Sequence, residues 1–252
     1  MIPGKKIYFA SDFHLGVPDF ARSLEREKRI VKWLDEIRPD VEELYLLGDV
    51  FDFWFEYKTV VPRGHIRLLG KLAELADAGI PIHYFTGNHD MWTFDYLKEE
   101  LNAKIYRAPI EATYNGKSFY IGHGDGLGPG DHGYKFIKRV FASKISQWMF
   151  ARLHPNFGVG LAHYFSRKSR IATGDLDEKF LGEEKEWLVI HSKELLQKKH
   201  YDYLIFGHRH LPLEIPINGK SIYINLGDWI RYNSYGVFDG EKFELKYFKN
   251  GK

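Results

Sequence analysis

Apolar residues follow two alternating rhythms over the first hundred positions. Lys6–Ala10 is a short strand-like run that ends in Ser11-Asp12. Phe20–Ile37 then places Leu24, Ile30, Val31, Leu34 and Ile37 at helical spacing. A second run, Leu44–Leu47, ends in Gly48-Asp49. A second helical stretch, from about Gly64 to Ala78, puts Ile66, Leu69, Leu72, Leu75 and Ala76 on one face. The third run, Pro81–Phe85, ends in Gly87-Asn88. Short strands alternating with helices of this length predict right-handed crossovers and a sheet buried on both faces.

The second half changes pattern. Ala112–Tyr114 and Ser118–Ile121 flank Asn115-Gly116, a two-residue hairpin signal. Asp131–Arg170 reads as two helices divided near His154-Pro155, and a long amphipathic helix is expected over about Glu178–Lys199. Short strands follow at Tyr203–Phe206, Leu213–Ile217, Ser221–Ile224, Gly236–Phe238 and Phe243–Phe248, with turns at Asn218-Gly219 and Asp239-Gly240. The expected architecture is an α/β sandwich of two packed sheets, one domain over 1–252 with a helical cap inserted at about 131–170.

Composition narrows the function classes. A 252-residue chain with 44% apolar and 16% aromatic residues is neither disordered nor collagen-like. It contains no cysteine, which excludes a disulfide scaffold, thiolate zinc sites, iron–sulfur clusters and cysteine catalysis. The net charge of +2 names no partner, but its distribution is uneven. Asp131–Arg170 holds eight Lys/Arg against one acidic residue, a local +7, so the remainder carries −5. The same stretch holds eight aromatic residues. Such a segment is either a helical hairpin with an aromatic core face, or a basic, greasy surface for acylated phosphates or a membrane. No window approaches the ~18 apolar residues of a membrane span, and the expectation is a cytoplasmic protein.

Each strand ends in a polar cluster, where open α/β sheets bind ligands. The clusters are Asp12-Phe13-His14, Gly48-Asp49-Val50-Phe51-Asp52, Gly87-Asn88-His89-Asp90, Gly122-His123-Gly124-Asp125 and Gly207-His208-Arg209-His210. Any one of them is compatible with an ordinary turn. Five together, all carboxylate, imidazole and amide, suit Mn²⁺, Fe²⁺ or Zn²⁺ and can hold two ions ~3.5–4 Å apart around one shared carboxylate.

These clusters, in this order over residues 6 to 230, resemble the calcineurin-like metallophosphoesterase signature, whose fold is an αββα sandwich of two mixed sheets. The resemblance implies that Asp12, His14 and His210 hold one metal, that Asp49 bridges, and that Asn88, His123 and His208 complete the second site. It implies two divalent cations, Mn²⁺ first and Fe²⁺ or Zn²⁺ next, in-line hydrolysis of a phosphoester, and a catalytic His89 near the phosphoryl or leaving-group oxygen. Asp52, Asp90 and Asp125 would orient ligands.

Gly48-Asp49-Val50-Phe51-Asp52-Phe53-Trp54 and His123-Gly124-Asp125-Gly126-Leu127 are similar to a narrower branch, the UDP-2,3-diacylglucosamine pyrophosphatases of lipid A biosynthesis. That likeness implies release of UMP from an acylated sugar nucleotide. Asp131, Tyr134, Arg170 and Lys179 would contact substrate, and Phe141, Trp148, Phe150 and Phe157 would line the acyl chains. It also implies peripheral contact with the inner membrane. No nucleic acid is expected, because positive charge is confined to one insertion against an acidic remainder. One residue departs from the enteric members of that branch, which carry arginine where this chain has His89. The shorter, mostly neutral imidazole points to a divergent branch or to another phosphoester. The rival readings are a phosphodiesterase or phosphatase for nucleotides or other small soluble phosphoesters, a nuclease, and a non-catalytic interaction scaffold.

Overall fold

In the computed structural model, which describes residues 1–129, 132–173 and 179–249, two mixed sheets pack face to face between helices. In the first, β1 (Lys6–Ala10), β2 (Val41–Leu47), β3 (Ile82–Phe85) and β4 (Lys104–Tyr106) are parallel. β10 (Ser234–Phe238) and β11 (Phe243–Tyr247) extend it antiparallel beyond β1, in the order β11-β10-β1-β2-β3-β4. The second sheet runs β5-β6-β7-β9-β8. It is built from β5 (Ile110–Tyr114), β6 (Lys117–Ile121), β7 (Tyr203–Phe206), β8 (Pro212–Ile217) and β9 (Ser221–Leu226).

Period-two alternation assigns each strand residue to a layer. On β1, Ile7 and Phe9 join Tyr45, Leu47, Phe119, Ile205 and Ile224 in the core between the sheets. Tyr8 and Ala10 face the other way, against Ile30, Trp33 and Leu34 of α1 (Phe20–Ile37) and Leu68, Leu72 and Leu75 of α2 (Ile66–Asp77). Across the molecule, α7 (Trp187–Leu196) covers the second sheet by packing Leu188 and Val189 on Leu204, Phe206 and Tyr223. Helix α1 keeps its predicted limits, because Asp19 caps it by accepting from the Arg22 amide at 2.9 Å.

Two expectations are corrected, and two short elements are added. The cap is three helices, α4 (His132–Ala142), α5 (Lys144–Phe150) and α6 (Pro155–Thr173), rather than two. Ser143 breaks the first, since its extended backbone (φ −69°, ψ 139°) lets its hydroxyl cap α5 by accepting from the Ser146 amide. The helix expected over 178–199 forms only as α7. Gly182, at φ +91°, accepts from the amides of Lys185 and Glu186 in a turn ahead of it. Finally, α3 (Tyr96–Leu101) and β4 are too short to have shown a period of their own. Among the described residues, no helix is long and apolar enough to cross a membrane.

Candidate metal centre

Because β1, β2 and β3 are parallel, their carboxyl ends emerge together, and β6 and β7 deliver theirs to the same place from the other sheet. The loops are stitched across that edge. The Asp12 amide donates to the Gly48 carbonyl, the His14 amide to Asp49, and the Gly207 amide to His123. The His208 amide donates to Asp12 Oδ2 at 2.9 Å, joining the two sheets directly. Asp12, His14, Asp49, His208 and His210 all sit at left-handed φ, between +44° and +66°. Each costs about 1–3 kcal/mol and persists only where the surroundings enforce it. Gly87 and Gly207 make the approach possible. A Cβ on Gly207 would lie 2.6 Å from Asp12 Oδ2, and one on Gly87 would strike the Asp49 carboxylate.

The expected ligand residues converge in two groups that share Asp49. Asp12, His14, Asp49 and His210 each offer an atom within 4.8 Å of the others, and so do Asp49, His123 and His208. Asp49 Oδ2 lies 3.8 Å from His14 Nε2 and 3.3 Å from His123 Nε2. The Asn88 Oδ1 is 3.4 Å from His123 Nε2, which brings it to the second group. The donor set fits divalent cations on this structure's own terms. Asp12 Oδ1 is buried without a hydrogen-bond partner, and the Nε2 atoms of His14 and His210 face each other at 3.0 Å. A cation between such groups would satisfy several of these mutually facing acceptors at once.

Electrostatics agree. Burial alone would raise the Asp12 and Asp49 carboxyls. The imidazoles of His14 and His210 beside Asp12, and His123 beside Asp49, outweigh it and hold both well below the usual carboxylate range. Burial would lower His123, but Asp49 overrides it and holds the imidazole up to about 10. His208 is pushed down to about 4 by burial and by the His123 charge. His123 Nδ1 donates to the Leu47 carbonyl at 2.6 Å, which aims Nε2 at Asp49.

Two of the carboxylates expected to orient ligands, Asp90 and Asp52, lie beside the cluster. Asp90 accepts from the Val50 amide at 2.9 Å, the Gly87 amide at 2.7 Å and the Tyr84 hydroxyl at 2.5 Å, pinning two ligand turns together. Asp52 lies 3.6 Å from His89 Nδ1 and 3.8 Å from His14 Nδ1. His89 Nδ1 is 3.0 Å from the Asp52 carbonyl. A carbonyl only accepts, so Nδ1 carries the proton, and Nε2 is an acceptor when the ring is neutral and a donor when it is charged.

A cavity of about 500 Å³ opens beside this edge. Asp52, Asn88 and His89 form its polar end, and Phe53, Trp92, Phe141, Phe150 and Phe165 its apolar length. Of the aromatic residues expected to line acyl chains, Phe141 and Phe150 line this cavity. Trp148 and Phe157 do not: they are 59% and 61% exposed on the outer face of the cap, where Arg152 lies over the Trp148 ring at 4.9 Å. Helical spacing within α5 explains it, since Phe150 and Trp148 are two residues apart and point to different sides.

Tyr134 lines the cavity and donates to Asp125 Oδ2 at 2.6 Å, and Lys138 pairs with the same oxygen. Lys179 is exposed, and its carbonyl accepts from Arg209 at 2.7 Å. Asp131 lies outside the described residues, as does the side chain of Arg170. Sequence reasoning missed Ser166 and His163, which α6 carries over the site. The Ser166 hydroxyl donates to Asp52 at 3.0 Å, and His163 Nδ1 lies 3.7 Å from the same carboxylate. Their three-residue spacing puts them on one helix face, but no motif marks them.

Comparison with known proteins falls in line with this geometry. The chain is 41% identical over 253 residues to the UDP-2,3-diacylglucosamine hydrolase of Porphyromonas gingivalis, an alignment covering 96% of this chain and 97% of that one. It is 28% identical to the enzyme of that name from Ectopseudomonas mendocina, over 96% of this chain and 98% of the relative. For the one from Aeromonas hydrophila the figures are 26%, 90% and 91%. Residues 5–212, the span that carries all seven converging side chains, match the model of the calcineurin-like phosphoesterases, and the chain belongs to that family.

Proposed function

We propose that this chain hydrolyses the pyrophosphate bond of UDP-2,3-diacylglucosamine, giving UMP and 2,3-diacylglucosamine 1-phosphate. One observation carries the reading: the apolar cavity ends at Asn88 and His89, beside the cluster of carboxylates and imidazoles. A phosphoester with a greasy tail matches that continuity of polar and apolar surface. The similarity to UDP-2,3-diacylglucosamine hydrolases supports it.

In this reading Asp12, His14, Asp49 and His210 hold one divalent cation, and Asp49, Asn88, His123 and His208 a second. Mn²⁺ is the first choice, because carboxylate, imidazole and amide donors suit it, with Fe²⁺ or Zn²⁺ as alternatives. Bound there, two such cations supply a hydroxide nucleophile at neutral pH and neutralise charge on the phosphoryl oxygens. The chain's own residues do the rest. Asp90 fixes the two turns that carry Asp49 and Asn88. His89, with Nδ1 held by the Asp52 carbonyl, turns Nε2 toward the substrate phosphate, where it donates a hydrogen bond once protonated. The aromatic length of the cavity takes acyl carbons and excludes water from the polar end.

The outer face of the cap bears Ile145, Trp148, Met149 and Phe157, all more than half exposed, beside Lys144 and Arg152. Apolar side chains ringed by basic ones suit an anionic bilayer surface, and we assign this face to peripheral membrane contact. The reaction is tested by incubating purified protein with the lipid and Mn²⁺ and identifying products by mass spectrometry. UMP and the diacyl sugar 1-phosphate, both lost on chelation, are the expected result. Hydrolysis of soluble diesters without UMP release would replace the lipid with a small soluble phosphoester.

A further inference from the structure

Between His208 and His210 stands a residue that no metal claims. Arg209 is 1% exposed and pairs in a fork with Glu186, also 1% exposed, through Nε to Oε2 at 2.9 Å and a terminal nitrogen to Oε1 at 3.1 Å. The same terminal nitrogen donates to the Lys179 carbonyl at 2.7 Å, and the guanidinium lies over the Trp187 ring at 5.6 Å. Trp187 in turn meets the His208 ring edge-on at 6.4 Å. Glu186 is itself held, by the Leu181 amide at 3.1 Å.

The backbone on either side of Arg209 is in a conformation that side chains disfavour, with His208 at φ +66° and His210 at φ +56°. Two such residues separated by one make a turn that does not hold itself. The fork fixes the middle residue in two directions at once, which a lysine in its place cannot do. The geometry points to Arg209 and Glu186 as a positioning pair. They lock the His208–His210 turn so that one imidazole serves each metal position, and they anchor that turn to the segment entering α7. This rests on the assignment of His208 and His210 as metal ligands made above.

The test is a Mn²⁺ titration followed by electron paramagnetic resonance, with no substrate present, on wild type, Arg209→Lys and the double variant Arg209→Met/Glu186→Leu. The double variant leaves no unpaired buried charge, so it keeps its fold, monitored by circular dichroism. The lysine variant keeps the charge and loses the fork. In both, Mn²⁺ affinity is expected to fall about 10–100-fold, and kcat on a soluble phosphodiester to fall more than KM rises. Wild-type affinity and an unchanged spin-coupled spectrum in the folded double variant would overturn the proposal. Absence of Mn²⁺ binding in the wild type would instead overturn the ligand assignment it rests on.

Discussion

Ser166, on the last helix of the cap, donates a hydrogen bond of 3.0 Å to Asp52, which lies in the loop after β2 and beside His14 and His89. The two are 114 residues apart in the chain. This contact ties the roof of the cavity to its polar floor. A hydrogen bond to a charged group contributes about 1.5–3 kcal/mol. Ser166→Ala is expected to lower the melting temperature by about 3–12 °C and, by loosening the roof over the polar end of the cavity, to raise KM for the acylated nucleotide roughly tenfold. Steady-state kinetics with a thermal melt checks it, and an unchanged KM would show that the contact does not govern substrate binding.

Asp49 belongs to both ligand groups, and its replacement should be the most damaging single change. Asp49→Asn is expected to cut kcat at least about a thousandfold, because the loss of shared charge forfeits several kcal/mol of stabilisation. Far-UV circular dichroism should stay native. Activity near wild type toward any phosphodiester would remove Asp49 from the centre.

The two faces of α5 predict opposite phenotypes. Phe150 packs in the cavity wall with ring centroids 4.7 Å from both Phe55 and Trp92. Phe150→Ala should raise KM for the acylated substrate about tenfold and leave a water-soluble diester nearly unaffected. Trp148→Ala should leave kinetics in detergent at wild-type values and weaken sedimentation with vesicles containing phosphatidylglycerol. If both variants behave alike, the division of the cap into lining and outer face is wrong.

Metal binding should depend steeply on pH. Beside Asp49, His123 keeps its proton up to about 10, above the usual value near 6.5. A cation must displace that proton, so Mn²⁺ affinity is expected to rise by up to tenfold per unit as pH increases from 6 to 9. The stability conferred by the charged pair has the opposite sense. It is fully present below pH 6.5 and is lost as pH rises through about 10, so chelated protein should melt at lower temperature at pH 10 than at pH 7. Calorimetric titration and melting curves at several pH values read both, and a pH-independent affinity would contradict the Asp49–His123 pairing.

Much of this was legible in the chain because its signals are local. Helix α1 declared itself through eighteen residues of period, and the ligand clusters stood next to their strands. All seven ligand candidates meet at one edge for that reason. What stayed hidden depends on distant partners or on very short elements. Ser166 looks like any helix serine until Asp52 is placed beneath it, and Arg209 looks solvent-facing until Glu186 arrives from another element. The three residues of β4 carry no period to read. Trp148 and Phe150 are both aromatic in one basic helix, and only the packing on Phe55 and Trp92 separates their roles.

The most direct measurement compares UMP release from UDP-2,3-diacylglucosamine with release from UDP-glucosamine, which has the same pyrophosphate and no acyl chains, under saturating Mn²⁺. A kcat/KM at least about a hundredfold higher is expected for the diacylated substrate, because burying even a few methylenes at ~0.8 kcal/mol each is worth that much. Equal values for the two would contradict it, leaving a phosphoesterase whose aromatic cavity has no part in choosing the substrate.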